Sequence, residues 1–363
     1  MKIKVESLRE GCILEEDVMG MTSFPIIPKK TIIDKNYINI LLAFKINEVN
    51  VENKMADGTS LKTQNSEQKL STESTVKNKL KSSFQEQYNE AVLKYKTDFK
   101  NWQSGAVINV ANVKEYLYPL LEKIEDDVNR QILSLHHYSN KEDYIYHHSI
   151  AVGILSGIIA KKMNYSKGEY FQAALAGCLA NAGMSKVSPY IIKKKSTLIS
   201  GEMNEVQEHV VQSLKMVQNT PLLKSETKLA IFQHHERLDG SGYPLKLKGN
   251  KIHSLSRIVA VADVFHALIS DRLYHENVSV FKAIEILISD CFGQFDISVI
   301  NVLLNMISVH LVIGTKVKLS NNQLGEIMFT KSSALTRPLI KMLNSSDIID
   351  LEKRRDICIE EIV

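Results

Sequence analysis

Residues 232–275 read FQHHERLDGSGYPLKLKGNKIHSLSRIVAVADVFHALISDRLYH, and three features of that run decide how the chain is read. His234 and His235 are adjacent and are followed by Glu236. Neighbouring positions on a helix point about 100° apart, so two adjacent imidazoles serve one centre only at a helix end or in a pocket between helices. LDGSGYP then supplies Gly240 and Gly242 ahead of Tyr243 and Pro244. Glycine permits positive φ and close backbone approach, and proline stiffens the exit. Asp263 lies in the apolar stretch RIVAVADVFHAL. An isolated carboxylate there needs a partner, and a metal or a histidine cluster is a natural one.

Each feature has a bland reading on its own. Two adjacent histidines usually sit on the surface or in a satisfied core, DGSG is usually a turn, and a helical Asp is usually exposed. The ordered conjunction carries more: HHE, then DGxGYP, then an apolar helix with Asp263, then Arg272 and Tyr274.

The surrounding composition is ordinary for a water-soluble chain. Of 363 residues, 44% are hydrophobic and 24% charged, which predicts two or three domains with a proper core. The net charge of +4 is a mild excess, so no DNA binding is expected. The longest apolar stretches, near Ile150–Ala160 and Phe171–Leu179, are too short to span a bilayer. The opening MKIKVESLREGC has no apolar run suited to a signal peptide, and the expectation is a cytoplasmic protein without a membrane segment. Cys12, Cys178, Cys291 and Cys358 are scattered without CxxC spacing, which favours free thiols over a disulfide or zinc framework.

Working outward, the chain divides by pattern. Residues 1–53 alternate apolar and polar positions with Gly and Pro punctuation and read as a small β-rich unit with an apolar helix, INILLAF. Residues 54–90 are rich in Ser, Thr, Lys, Asn and Gln and read as a polar linker. Phe84, Tyr88, Val92 and Tyr95 recur at helical spacing, as do Val110, Val113, Tyr116, Leu120 and Ile124, which makes 91–130 a helical connector. Residues 131–312 read as helical throughout, and 313–363 as a second small β-rich unit. The fold class expected is mostly α, with β-rich units at both ends.

The ordered pattern resembles the HD-GYP domain, a subgroup of the HD metal-dependent phosphohydrolases. Upstream, EDYIYHHSIAVG with His148 is similar to the family's first metal-binding helix, and EVQEHV with His209 to its middle histidine. IGTKVKLSNNQLGEI resembles the Gly-containing strand pair that often follows the domain. The resemblance implies an all-helical domain that hydrolyses cyclic di-GMP with two or three iron or manganese ions, which polarise the phosphodiester and activate a bridging water. It places metal ligands at His148, His209, His234, His235 and Asp263. It places ligand contacts at Asp239, Gly240, Gly242, Tyr243, Pro244 and Arg272.

The family's HD-x-G-K motif falls in LAGCLANAGMSKV, and there this chain departs from it. Gly183 aligns, but the His is Ala180, the Asp is Asn181 and the Lys is Met184. No other register restores the motif, because no His or Asp lies between Gln172 and Lys186. A neutral Asn bridges two cations poorly, so the resemblance implies a reduced site: one divalent ion (Fe, Mn or Zn) on the surviving histidines, or none. His266 is a further departure, where relatives often carry Asp. Three readings stay open: a pseudo-phosphodiesterase binding cyclic di-GMP, a related dinucleotide or a protein partner; an active phosphodiesterase with an altered metal site; and a structural helical scaffold. A homodimer is implied by resemblance only.

Overall fold

A computed structural model describes residues 2–5, 8–19, 25–34, 37–38, 41, 46–52, 54–56, 83–124, 128–138, 140–272, 277–289 and 291–363. Most of the span read as polar linker, residues 57–82, lies outside the described residues, as do most of INILLAF and Tyr274. The chain divides into two compact units, Met1–Asn78 and Lys79–Val363.

In the N-terminal unit, β1 (Lys2–Lys4) pairs antiparallel with β4 (Glu48–Asn50), and β2 (Val18–Met19) with β3 (Pro25–Ile27). Isolated bridges Ile13–Ile32 and Leu14–Val51 extend the pairing. Alternation along these short strands turns Val5, Cys12, Leu14, Ile27, Ile33, Val49 and Val51 into one small core.

The second unit is helical until its last fifty residues. Helix α1 (Phe84–Gln103) opens on Ser83, whose side chain accepts from the Glu86 amide while Glu86 accepts from the Ser83 amide. That reciprocal cap starts the helix inside the stretch assigned to the linker, so residues 84–90 are a correction to that boundary. The 3.6-residue spacing of Phe84, Tyr88, Tyr95, Phe99 and Trp102 buries one aromatic stripe. Next come α2 (Val110–Lys123), α3 (Val128–Ser134), α4 (Tyr144–Lys162), α5 (Lys167–Ala180), α6 (Pro189–Ile192), α7 (Ser200–Gln207), α8 (His209–Val217), α9 (Ser225–Gln233), α10 (Ser254–Ile269), α11 (Val280–Ser289) and α12 (Ile297–Ser308). The apolar stretches noted in the sequence form the centre of α4 and α5, which are apolar all round because both are buried.

The chain ends in a five-stranded antiparallel sheet of order β8-β7-β6-β5-β9, built from Lys316–Leu319, Leu324–Lys331, Ala334–Met342, Ile348–Asp350 and Ile359–Ile362 in sequence order from β5 to β9. Val317, Leu319, Ile327, Ile340 and Ile359 belong to the same hydrophobic core as the helices. The Ser279 hydroxyl donates to the Ile359 carbonyl at 2.7 Å, and Arg337 pairs with Glu285. The β region is therefore fastened to the helical domain rather than suspended from it. Among the described residues no helix is long and apolar enough to cross a membrane, and no disulfide joins two cysteines.

Candidate functional site

Five segments converge on the site: the first turn of α4, the end of α5, the start of α8, the end of α9 and the middle of α10. Helix α9 stops at Gln233, so His234 and His235 stand at a helix end, where adjacent imidazoles can serve one centre. Gln233 fastens the stop, its side-chain oxygen accepting from the Ser256 hydroxyl at 2.8 Å and the His253 amide at 3.1 Å. This also fixes the start of α10, the helix that carries Asp263.

His209, His234 and His235 each bring a ring nitrogen within 4.8 Å of the others. The His234 Nδ1–H donates to the Ile231 carbonyl at 2.7 Å, and the His209 Nδ1–H donates to the Val206 carbonyl. These bonds set both tautomers and leave a lone pair on each Nε2. The two Nε2 atoms lie 3.3 Å apart. Facing lone pairs at that separation call for a cation or a proton between them. Burial disfavours the proton: it pushes His209 down to about 3, helped by His234, and lowers His234 and His235 too. His209 and His234, buried and each held at Nδ1 by a carbonyl, fit a divalent cation, with the half-buried His235 beside them.

The loop after the histidines braces this set. Glu236, buried, accepts from the amides of Leu245 at 2.6 Å and Leu247 at 2.9 Å. A Cβ on Gly242 would sit 2.4 Å from the His235 carbonyl oxygen and 2.5 Å from the Arg237 nitrogen, so only glycine allows the loop to fold back this closely. The Tyr243 amide donates to the His235 carbonyl at 3.1 Å, and its ring stacks on the His235 imidazole at 4.7 Å between centroids. The Tyr243–Pro244 peptide is cis, and Gly240 has φ +85°. Asp239 points into its own turn, accepting from the Ser241 amide and hydroxyl at 2.9 and 2.7 Å.

The opposite side is organised differently. His148 places Nε2 2.9 Å from Asp263 Oδ1, and its Nδ1 lies 3.1 Å from the Tyr144 hydroxyl and 3.0 Å from His266 Nδ1. Burial is the largest single influence on Asp263 and opposes its charge, but the His148 hydrogen bond together with the electrostatic pull of His148, His235 and His234 holds the carboxyl well below its usual range. Asn181, just past the end of α5, donates its amide to the same Oδ1 at 3.3 Å. The carboxylate partner anticipated for Asp263 is thus a histidine and an amide. Asp263 stands outside the mutually close set of His209, His234 and His235.

Ala180 is fully buried in the core. Its carbonyl accepts from the Ser213 hydroxyl at 2.7 Å, and that hydroxyl accepts from the Gly183 amide at 2.7 Å. A Cβ on Gly183 would lie 2.1 Å from the His209 carbonyl oxygen, so this glycine lets α8 dock where His209 reaches the site. Lys186, the nearest following lysine, spends its ammonium on the Trp102 carbonyl and does not replace the lysine absent at Met184. Arg272 lays its guanidinium 4.9 Å from the Tyr144 ring centroid.

The structure gathers His209, His234 and His235 into one set and His148 with Asp263 into another, and it brings Tyr243 against the first and Arg272 towards the second. Sequence reasoning missed Tyr144, Ser213 and Gln233, and missed the donor role of Asn181. The sequence signal available for them was a hydroxyl or amide within one helical turn of a candidate ligand position.

Residues 127–299 match the family model described as "HD domain". The chain is 28% identical over 251 residues to a cyclic di-GMP phosphodiesterase of Pseudomonas aeruginosa, covering 68% of this chain and 59% of that protein. It is 35% identical over 131 residues to a cyclic di-GMP phosphodiesterase of Thermotoga maritima, covering 36% of this chain and 35% of that one. It is 31% identical over 147 residues to a 3'3'-cGAMP-specific phosphodiesterase of Vibrio cholerae, covering 40% and 32%. The chain spans between about a third and three fifths of the length of these relatives. An HDG"Y"P protein from Bdellovibrio bacteriovorus superposes with a TM-score of 0.50 at 14% identity, covering 85% of this chain and 99% of that one, a likeness of fold. The HH pair, the GYP loop and the helix of Asp263 thus lie inside the residues that match the HD domain model, in the order that resembles an HD-GYP domain.

Proposed function

We propose that this chain is a degenerate HD-GYP protein of bacterial cyclic di-GMP signalling, a pseudo-phosphodiesterase that binds a cyclic dinucleotide or a protein partner and hydrolyses little. The observation that carries this is the contact at position 181: an amide donates to Asp263 where hydrolysis by a metal pair needs a bridging carboxylate. In such hydrolysis the metal ions polarise the phosphodiester and lower the pKa of the attacking water. Ala180 offers no ligand atom, Met184 no charge, and Lys186 is committed elsewhere. Loss of a bridging ligand costs several kcal/mol of transition-state stabilisation, on the order of a thousandfold in rate.

Binding stands apart from turnover. His209, His234 and His235 fit one divalent ion, such as Zn²⁺, Fe²⁺ or Mn²⁺, which would offer a Lewis-acid contact for a phosphate. The Tyr243 ring beside His235 supplies an aromatic wall, and Arg272 supplies a cation for a phosphate oxygen. The relatives act on cyclic di-GMP and on 3'3'-cGAMP, so the ligand class of this reading is a cyclic dinucleotide. A cytoplasmic location and a helix-mediated homodimer belong to the same reading. Titration calorimetry with cyclic di-GMP tests it: saturable binding with negligible turnover is expected. No binding at high micromolar ligand removes the nucleotide version and leaves a partner-binding scaffold.

A second reading, a slow hydrolase using a single ion, is favoured by the facing Nε2 atoms of His209 and His234. Turnover in Mn²⁺ or Fe²⁺ that disappears in His234→Ala and His235→Ala would support it. Turnover that survives both changes would exclude this site.

A further inference from the structure

We propose that the first metal position of the domain has been replaced by a metal-independent hydrogen-bond chain running Asn181–Asp263–His148 and on to Tyr144 and His266. The family reading locates that position; the chain of contacts is argued from its own geometry. A buried carboxylate needs a cation or strong donors. Asp263 Oδ1 has two donors, the Asn181 amide at 3.3 Å and His148 Nε2 at 2.9 Å. A cation bound to that oxygen would have to displace the N–H groups already facing it.

His148 is equally committed. With Nε2 on Asp263, its other nitrogen lies within hydrogen-bond reach of the Tyr144 hydroxyl and His266 Nδ1, so neither nitrogen presents a lone pair to the pocket. His266 is itself fully buried and reaches the Ser270 hydroxyl at 3.3 Å. The Asn181 turn is held by Ser213 through the Ala180 carbonyl and the Gly183 amide. His209 and His234 differ on the decisive point: their backbone bonds tie up only Nδ1 and leave both Nε2 atoms facing each other. The departures at 180, 181 and 266 are therefore one compensated change. Apolar packing replaces one ligand, an amide donor replaces the bridging carboxylate, and an imidazole orients His148 from behind.

The test is metal-to-protein ratio together with thermal unfolding, with and without chelator, on the full chain loaded with Mn²⁺ or Zn²⁺. Wild type is expected to carry one ion per chain and His209→Ala none. Asp263→Asn, which keeps shape and removes the charge, is expected to stay at one. Asn181→Asp sets two carboxylates against each other with no cation between them. In chelator its unfolding temperature should fall by on the order of 5 °C, and Mn²⁺ should restore it while the ratio rises toward two. Two ions per wild-type chain would overturn the proposal, as would loss of the ion in Asp263→Asn or an Asn181→Asp variant insensitive to chelator. A wild-type ratio of zero, with the Asn181→Asp response intact, would remove the three-histidine ion and support this hydrogen-bond chain. None of these readouts needs a cyclic dinucleotide, so the outcome is separable from the fate of the proposed function.

Discussion

Acidification of the metal-free protein should unfold it through its buried imidazoles, and the size of the effect follows from His209. Burial, then the neighbouring His234, pushes this group down to about 3 in the folded chain, against about 6.5 in an unfolded one. Below pH 6.5 the unfolded chain therefore takes up a proton that the folded protein refuses. The stability tied to His209 is complete above pH 6.5 and is lost progressively as pH falls towards 3. At pH 5 the gap to the unfolded value is about 1.5 units, or about 2 kcal/mol, and it is the same whether the folded value is 3 or 4. Burial lowers His234, His235 and His266 as well, so the slope should exceed that of one proton. Asp263 is held well below its usual range, so its contribution is present at pH 5 and is lost only in stronger acid. Urea unfolding in chelator at pH 7, 6 and 5 measures this. A free energy flat between pH 7 and 5, or an undiminished slope in His209→Gln, would refute the reasoning.

Three further changes probe the bracing of the site. Gly242→Ala puts a Cβ 2.4 Å from the His235 carbonyl and should cost about 1–3 kcal/mol in chemical denaturation while weakening metal affinity. Gly183→Ala collides with the His209 carbonyl at 2.1 Å, and calorimetry should show a similar loss, with His209 displaced from the metal set. Glu236→Gln turns a carboxylate that accepts from the Leu245 and Leu247 amides into a neutral acceptor, which should cost about 1–3 kcal/mol and raise hydrogen exchange across residues 243–248.

Much of the architecture was legible because it is periodic. The helical spacing of Phe84, Tyr88, Val92 and Tyr95 and the apolar stretches of α4 and α5 are visible in the sequence, and the structure extends the first stripe to Phe99 and Trp102. The linker boundary was misplaced because residues 84–90 look polar by composition, while the Ser83–Glu86 cap that starts the helix is a matter of two side chains. His209, His234 and His235 come together in the sequence only through the resemblance to the family, since an adjacent histidine pair reads as bland on its own, and the structure brings the three close to one another. The reorganisation around Asp263 was not legible. Nothing in the string LANAG says that the Asn181 side chain turns its amide toward a carboxylate 82 positions away, or that Tyr144 and His266 close on His148 from behind. Such contacts depend on where α4, α10 and the end of α5 meet, and that is a tertiary property.

Turnover of cyclic di-GMP by the wild-type chain with Mn²⁺ or Fe²⁺ in excess tests the central claim most directly. Enzymes commonly turn over at about 10 s⁻¹, and loss of a bridging ligand removes on the order of a thousandfold, so the rate expected is about 0.01 s⁻¹ or lower. A rate of about 1 s⁻¹ or more that is abolished by His234→Ala would contradict the account.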